Sequence, residues 1–364
     1  MGAARFLSQN LIPNAAAITV SSERGGPVGL ASKVGAGVAT LQTGGSYTGA
    51  TAPQQYVVQI DSVAGGSDIG QATFAWRRGD DASWRASGVL TSAAPVTLET
   101  GVTVQWVAGS GTQFAILDTW TLPVDKPFGK RFLVDGDRDS EWRSADVAGL
   151  ITIDLDLGSA QQMDALALLD HNLSATATIQ LKGDAAANWA APALSEAITR
   201  QASNLIYTVL SASRTYRYWR LELTDTANPS GFLRISELFP AVPLVMSQNF
   251  DRGWHRTRRA ELYGASSAVR RPRGIVGKVE AIALNYKLMT DADRLAMCAL
   301  FDSVYDDSRG TVRPFVVNLD SSVASDVSLY EWDTAELDVN SPYLARFEWS
   351  VAMIQRVRFA RSGS

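Results

Sequence analysis

Leu133-Val134-Asp135-Gly136-Asp137-Arg138-Asp139-Ser140-Glu141-Trp142-Arg143-Ser144 is the stretch around which this chain is organised. An apolar pair opens it. Asp-Gly-Asp follows, which is turn chemistry because Gly supplies a positive φ and Asp caps nearby backbone. Three carboxylates, Asp135, Asp137 and Asp139, fall within five positions and repel one another unless a cation, an arginine or backbone N–H groups meet them. Two interpretations follow: a solvated acidic turn, or a loop held by a structural calcium ion and a buried Trp142.

This stretch resembles the "DGD..T.W.S" signature of discoidin-like domains, also called coagulation factor 5/8 C-terminal or galactose-binding-like domains. Ser140 stands where the family prefers Thr. The resemblance continues, in the family's order, in segments 151–158, 164–170, 218–224 and 233–239, the third of which reads YWRLELT. It implies an antiparallel jelly-roll β-sandwich that acts as a binding module.

Length and composition limit the class of protein to which this chain can belong. The chain has 364 residues, of which 46% are hydrophobic, so it can bury a core and form two or three domains. A net charge of −4 gives no global basic field for nucleic acid. The first ten residues carry no apolar signal region, and no run of about 18 apolar residues occurs, so we expect neither a signal peptide nor membrane insertion.

An insertion separates the first discoidin-like strand from the acidic turn. Segment 10–22 resembles that strand, yet the turn arrives only at Asp135. Segment 36–49, rich in Gly, Thr and Ser, is interpreted as a linker. Alternating strands then follow to residue 122, in a pattern that resembles a compact β module of phage tail and adhesion proteins. The predicted domains are 1–45 with 123–242 (discoidin-like), 46–122 (an inserted small β domain) and 243–364.

The last predicted domain contains strands and one helix. Thr290 and Asp293 form a capping-box pattern, and Met297, Leu300, Phe301 and Val304 share one stripe of the helix that follows. A long strand over 345–354 closes the chain. This layout resembles the tail-tube-like domains of distal-tail, minor-tail and baseplate proteins of long-tailed phages. The predicted fold class is therefore mainly β: a jelly-roll β-sandwich with an inserted β domain, and a tail-tube-like β domain carrying one helix.

Arginines cluster at the start of this last domain. Within 252–278 the only acidic residue is Glu261, and the arginines are Arg252, Arg256, Arg258, Arg259, Arg270, Arg271 and Arg273. One interpretation is a nucleic-acid track. The other, which we favour, is a surface that meets acidic neighbours in a homo-oligomeric ring, because the guanidinium fork suits interface ion pairs. Nucleic acid is accordingly not an expected partner.

No constellation of residues indicates catalysis. The two histidines, His171 and His255, lie far apart in sequence, and no zinc-protease, nucleophile-elbow or phosphate-loop motif occurs. Cys298 is interpreted as a small core residue. We therefore predict that the chain is not an enzyme and has no catalytic residues, with a glycosidase carboxylate pair as the open alternative.

The resemblance implies two candidate binding sites. In the family a structural calcium joins the DGD loop to the Glu of the closing strand, and the matching residues here are Asp135, Asp137, Asp139, Ser140 and Glu237. The alternative is that Arg138, Arg143 or Arg234 neutralises these acids. Segment 184–189 resembles the family's "DG..W" loop, so Trp189 is either a sugar-stacking platform or a packing residue.

These features predict a structural component of a phage or prophage tail tip or baseplate, located in the virion tail and made in the host cytoplasm. Its expected partners are other tail or baseplate proteins, further copies of itself in a ring, and a cell-surface glycan. The alternatives are a free carbohydrate-binding lectin or accessory module and, third, a glycosidase.

Overall fold

β-Strands dominate the regular structure of the chain, which is described here from a computed structural model. It describes residues 5–7, 9–49, 54–136, 140–201, 204–245, 250–251, 257–261, 277–306, 311–312, 315–318, 321, 327–332, 339–343 and 346–355. One α-helix accompanies the strands in these ranges, so the predicted mainly β fold class is confirmed.

The strands that precede the acidic turn are β1 (Arg5–Leu7), β2 (Ile18–Val20), β3 (Ser32–Val34), β4 (Thr40–Gly45), β5 (Gln54–Ser62), β6 (Thr73–Arg78), β7 (Ala86–Leu90), β8 (Val96–Thr97), β9 (Val102–Val107) and β10 (Thr119–Val124). Those that follow it are β11 (Trp142–Arg143), β12 (Ile151–Leu169), β13 (Thr178–Asp184), β14 (Leu194–Ala197), β15 (Ile206–Thr224), β16 (Arg234–Ile235), β17 (Glu237–Ala241) and β18 (Leu244–Val245).

The remaining elements are β19 (Phe250–Asp251), β20 (Thr257–Glu261), β21 (Gly277–Met289), α1 (Asp291–Val304), β22 (Tyr305–Asp306), β23 (Thr311–Val312), β24 (Phe315–Asn318), β25 (Val327–Trp332), β26 (Val339–Tyr343) and β27 (Arg346–Gln355). Short 3-10 helices lie at Ala15–Ala17 and Lys130–Leu133.

Contacts divide the chain into two compact units. The main unit comprises Met1–Ser21, Lys130–Glu141 and Val147–Ser364. The inserted unit comprises Ser22–Gly129 with Trp142–Asp146. The predicted inserted domain, 46–122, lies within the second of these and is narrower. The predicted boundary at residue 243 lies inside the main unit.

The inserted unit has two antiparallel sheets, one of strand order β3-β10-β5-β6-β7 and one of order β4-β9-β8. Alternation decides which side chains face inward, so Tyr56, Val58 and Ile60 of β5 are all buried. An aromatic group lies in the core between them: the Trp106 ring centroid is 4.8 Å from Phe74, 6.0 Å from Phe114 and 6.3 Å from Trp120. Aromatic burial on this scale stabilises the unit strongly.

Segment 36–49 corrects the sequence interpretation, because it is not a linker. It contains β4, which pairs along its length with β9 and places Leu41 opposite Trp106. Leu41 is buried, while Thr40 and Gln42 alternate outward. Its low apolar content hid the strand, since few of its positions face the core. The ends of the inserted unit also meet: Phe128 N donates to Arg24 O at 3.0 Å.

The main unit contains a sheet of order β14-β13-β15-β12-β17, with β2 paired to β12. The segments that carry the discoidin resemblance lie in β12, β15, β16 and β17. In the first half of β12, Ile151, Ile153 and Leu155 are buried and the residues between them are half-buried, so this half presents one apolar and one polar face. Register shifts after Asp156 and Met163 mark irregularities in its pairing with β15.

A second sheet of the main unit has the order β18-β1-β24-β25-β27-β21-β19, with β20 on β21 and β26 on β27. Strand β1, from the N-terminal segment assigned to the discoidin-like domain, pairs here with β24. Leu7 and Val316 share one hydrophobic cluster with Ala165, Ala167 and Tyr207. The two sheets of the main unit therefore pack together through a common core.

Helix α1 begins with the predicted capping box. Asp293 N donates to Thr290 Oγ1 at 3.1 Å, and Thr290 N donates to Asp293 Oδ2 at 3.3 Å. Met297, Leu300 and Val304 of the predicted apolar stripe are buried, and Phe301 is half-buried. Within the described ranges, no helix has both the length and the apolar content required to span a membrane.

Candidate functional site

A well-anchored loop carries Trp189 between β13 and β14. Asp184, the last residue of β13, accepts hydrogen bonds from Ala186 N at 2.7 Å and Ala193 N at 3.0 Å. These backbone donors lower the pKa of the Asp184 carboxyl, with Ala186 the largest cause. The ionised carboxylate thus ties both ends of the loop to the sheet, which restricts where Trp189 can lie.

The Trp189 indole stacks on a guanidinium of the neighbouring strand. Arg220 Cζ lies 4.7 Å from the ring centroid, within the range of a cation–π contact. Arg220 also forms a bidentate pair with Asp154 on β12, with Nε–Oδ1 and Nη2–Oδ2 distances of 2.5 and 2.6 Å. Trp189 itself is half-buried. Arg220 therefore supports one ring face while part of the indole stays open to solvent.

A second ion pair lies beside this stack. Lys182 Nζ is 2.7 Å from Glu222 Oε1 and 3.5 Å from the carbonyl oxygen of Trp189. Lys182 of β13 lies directly opposite Arg220 of β15. We call Trp189, Arg220, Asp154, Lys182 and Glu222 the Trp189 platform: one aromatic ring on the polar face of the sheet, next to fixed donors and acceptors.

Further along the same face, Arg217 Nε and Nη2 bond Asp156 at 2.7 and 2.8 Å. The Arg217 guanidinium lowers the pKa of the Asp156 carboxyl to about 2. Asp154 and Glu222 are likewise paired with cations. A general acid needs a proton to give near neutral pH, so the Asp156 carboxylate fits ligand binding better than proton transfer.

The sequence singled out only Trp189 of this platform. The other members were missed because they are ordinary charged residues on the solvent face of amphipathic strands. Their signal was present in segment 218–224, where Arg220 and Glu222 alternate with apolar Trp219, Leu221 and Leu223. What the sequence did not supply was the neighbouring strand that brings Lys182 and Asp154 alongside.

The acidic turn brings part of the predicted calcium set together. Ser140 Oγ donates to Asp135 Oδ2 at 2.7 Å, and Gly136 N donates to Glu237 Oε2 at 3.2 Å. Asp137 and Asp139 lie outside the described residues. Among the residues that are described, no group of three or more His, Cys, Asp or Glu side chains could hold a metal ion. Oxygen-rich Asp135, Ser140 and Glu237 suit calcium chemically, and the site stays a prediction.

The alternative for the acidic turn was neutralisation by arginine. Arg234 Nη1 lies 3.7 Å from Glu141 Oε2, next to the turn. Arg143 Cζ lies 3.9 Å from the Phe128 ring centroid. Arg138 lies outside the described residues. Trp142 is fully buried, as predicted for the anchor of this turn.

His171 is buried where β12 ends. Its Nδ1 accepts a hydrogen bond from Leu173 N at 3.1 Å, and its Nε2 has no hydrogen-bond partner among the residues that the structure describes. Desolvation, then the charges of Arg200 and Arg234, lower the pKa of His171 to about 4. Cys298 is partly buried in α1, and His255 lies outside the described residues.

The structure places only part of the predicted interface arginines. Arg258 and Arg259 lie in β20, opposite Glu280 and Val279 of β21. Those outside the described residues are Arg252, Arg256, Arg270, Arg271 and Arg273. The interface interpretation stays a prediction.

Comparisons with known proteins give structural likeness only. No family model matches the chain, and no curated protein matches it. A chitosan-binding module of a Paenibacillus sp. IK-5 chitosanase/glucanase is similar at a TM-score of 0.26 and 21% identity, covering 32% of this chain and 86% of that one.

Two further solved structures are similar to a comparable share of the chain. A Streptococcus pneumoniae fucose-binding module has a TM-score of 0.25 and 14% identity, over 31% of this chain and 83% of its own. The lectin domain of lectinolysin, in complex with Lewis B antigen, has a TM-score of 0.25 and 16% identity, over 30% and 81%. Likeness at this level carries no conclusion about what this chain binds.

Proposed function

We propose that this chain is a structural protein of a phage or prophage tail tip that binds a host-surface glycan through its discoidin-like part. Glycan binding is the biochemical activity. The tail tip is its setting, where other tail proteins and further copies of the chain are the partners.

The Trp189 platform is the observation that carries the glycan proposal. A sugar ring has apolar C–H faces and a rim of hydroxyl groups. A supported indole offers a flat apolar surface to the C–H faces. Fixed carboxylates and cations offer acceptors and donors to the hydroxyl groups. Because the ion pairs hold these side chains in place, little conformational freedom is lost on binding. A packing role alone does not require an indole that stays partly open.

The tail setting rests on the layout of the last 120 or so residues in the sequence. In the described part of that region, strands surround one capped helix, and β18 is an end strand of its sheet. End strands carry backbone groups that can pair with another chain, so β18 could join neighbouring copies. Ring multivalency would raise a weak affinity for each sugar site.

A glycan array tests the binding proposal. We expect the full chain to bind at least one surface saccharide, Trp189→Ala to weaken that binding by roughly tenfold, and Trp189→Phe to retain most of it because a ring remains. Binding that is unchanged in Trp189→Ala would refute the platform. No binding of any saccharide would refute the glycan function.

Imaging tests the setting. Antibody labelling of the chain on intact phage particles is expected to mark the tail tip, whereas a free lectin would be found as a monomer away from any particle. If the antibody did not label the particles, the tail assignment would be wrong. The glycan-binding proposal would not be affected.

A further inference from the structure

A second exposed tryptophan lies on a loop of the inserted unit. The loop joins β6 to β7 and spans residues 79–85, which we call the Trp84 loop. Backbone bonds close both of its ends: Gly79 N donates to Gln55 O at 2.5 Å, and Arg85 N donates to Trp76 O at 2.9 Å. Trp84 is 40% exposed, a large apolar surface in water on a loop whose ends are fixed.

The indole of Trp84 rests on a guanidinium, as that of Trp189 does. Arg77 Cζ lies 5.5 Å from the Trp84 ring centroid. Arg77 Nη1 in turn donates to Asp81 O at 2.5 Å, so the supporting arginine is itself tied to the loop. One ring face is therefore supported from the strand below, and the exposed fraction of the indole is available to a ligand.

Charged side chains of the Trp84 loop form ion pairs with each other and with Glu99. Arg85 donates from Nε to Asp81 Oδ2 at 2.5 Å and from Nη1 to Glu99 Oε2 at 3.0 Å. The Arg85 guanidinium lowers the pKa of the Asp81 carboxyl. These are planar groups with donors and acceptors at set spacings, which is the geometry that neighbouring hydroxyl groups can match two at a time.

The charged group is anchored to the core. Glu99 accepts from Tyr56 OH at 3.0 Å, and the Tyr56 side chain is fully buried. Arg78 Nε also donates to Glu99. The same combination of an indole on a guanidinium with ion pairs nearby in the chain occurs in both units.

We propose that Trp84, with Arg85 and Asp81, forms a second carbohydrate site, in which a pyranose ring stacks on the indole and its hydroxyl groups bond the ion pair. This inference rests on the proposed glycan function and adds a site in the other unit. The two sites would make each copy of the chain bivalent, so that modest affinities combine on a surface that repeats the same sugar.

Fluorine NMR tests this with the full chain. Ten tryptophans are present, and 5-fluorotryptophan labelling gives each a separate signal, with Trp84→Phe and Trp189→Phe assigning two of them. The probe is the saccharide that binds most strongly in a printed array of pyranose mono- and oligosaccharides. We expect it to shift the Trp84 and Trp189 signals in a saturable manner.

The outcomes separate the two proposals. A Trp84 signal that does not move while that of Trp189 does would overturn the second site and leave the proposed function standing. Movement at Trp84 alone would support the second site and remove Trp189 from the binding surface. If neither signal moves, both proposals fail.

Affinity for immobilised saccharide supplies an independent readout. We expect Trp84→Ala to weaken it by roughly tenfold through the loss of bivalency. The matched control is Leu90→Ala, which removes an apolar side chain that is 53% exposed on β7 of the same unit and should leave binding unchanged. Equal losses of affinity in Trp84→Ala and Leu90→Ala would show a general surface effect and refute the second site.

Discussion

At the scale of single residues, His171 is a titratable side chain that is buried away from water. Leu173 N donates to its Nδ1, so the ring is neutral with its proton on Nε2. Protonation of Nδ1 would break that bond and add a charge near Arg200 and Arg234 inside a buried site. Burial and both arginines therefore act in the same direction, against the imidazolium.

The stability of the main unit should consequently fall in mild acid. The pKa of His171 is about 4 in the folded chain against 6.5 for the free side chain, so the unfolded state takes up a proton first as the pH falls. Above pH 6.5, His171 does not change the free energy of unfolding. Between pH 6.5 and about 4, that free energy falls by roughly 3 kcal/mol in total. Chemical unfolding measured across that pH range should show this slope, and His171→Asn should flatten it.

Asp156→Asn is the matched control for this experiment. Arg217 holds the Asp156 pKa at about 2, so the stability that this pair adds is present above the ordinary carboxyl pKa and disappears only as the pH falls towards 2. The Asp156→Asn variant should keep the slope of the free energy of unfolding between pH 6.5 and pH 4. If His171→Asn showed a slope as large as that of the unsubstituted chain, the assignment of the slope to His171 would be wrong.

At the scale of elements, β3 and β4 show where the inserted unit begins. Strand β3 pairs with β10, and β4 pairs with β9. Strand β9 and the residues of β10 that pair with β3, Thr119 to Thr121, lie within 46–122. Removing only that segment would leave two unpaired strands, and unpaired edges promote aggregation.

Two replacements by a short Gly/Ser linker test these limits. Replacing 25–127 should leave unaggregated protein that unfolds cooperatively, because residues 24 and 128 are already joined by a backbone hydrogen bond. Replacing 46–122 should yield aggregated or poorly cooperative protein. Size-exclusion chromatography and thermal unfolding distinguish them, and equally good behaviour of the two variants would contradict the wider limits.

The family resemblance of segments 151–158, 164–170 and 218–224 predicted much of β12 and the end of β15. Alternation of apolar and polar residues accompanies it in the first half of β12 and in 218–224. It failed for β4, where Gly, Thr and Ser conceal the few inward positions, and for the Trp84 loop, where nothing local announces that Arg77 lies beneath the ring. Trp189 could be singled out from the loop pattern, yet its partners Arg220 and Lys182 depend on which strands pair. Pairing between distant strands is the information that local patterns lack.

At the scale of the whole molecule, charge is unevenly distributed along the chain. The chain carries a net −4, yet 252–278 contains seven arginines and a single acidic residue. Asp302, Asp306, Asp307 and Asp320 follow this segment in sequence, and in the proposed ring they would be its acidic complement on an adjacent copy. Attraction between such surfaces is screened over about 10 Å at 0.1 M salt.

Assembly should therefore depend on Arg258 and Arg259. Reversing both to Glu is expected to reduce incorporation into particles, while changing the folding stability by only about 0.5 kcal/mol. Quantitative blotting of purified particles and a melting curve of the free chain measure the two effects. Normal incorporation would refute the interface role, and loss of nucleic-acid binding with normal incorporation would favour the other interpretation of the arginines.

The backbone bridge between Arg24 and Phe128 has a consequence for how such chains diversify. A segment of roughly a hundred residues leaves and re-enters the scaffold across one hydrogen-bonded pair. Any other folded cassette whose ends lie equally close could occupy the same position without new connecting loops. Genetic recombination at these two points would then exchange one folded segment for another in a single step while the rest of the protein stays as it is.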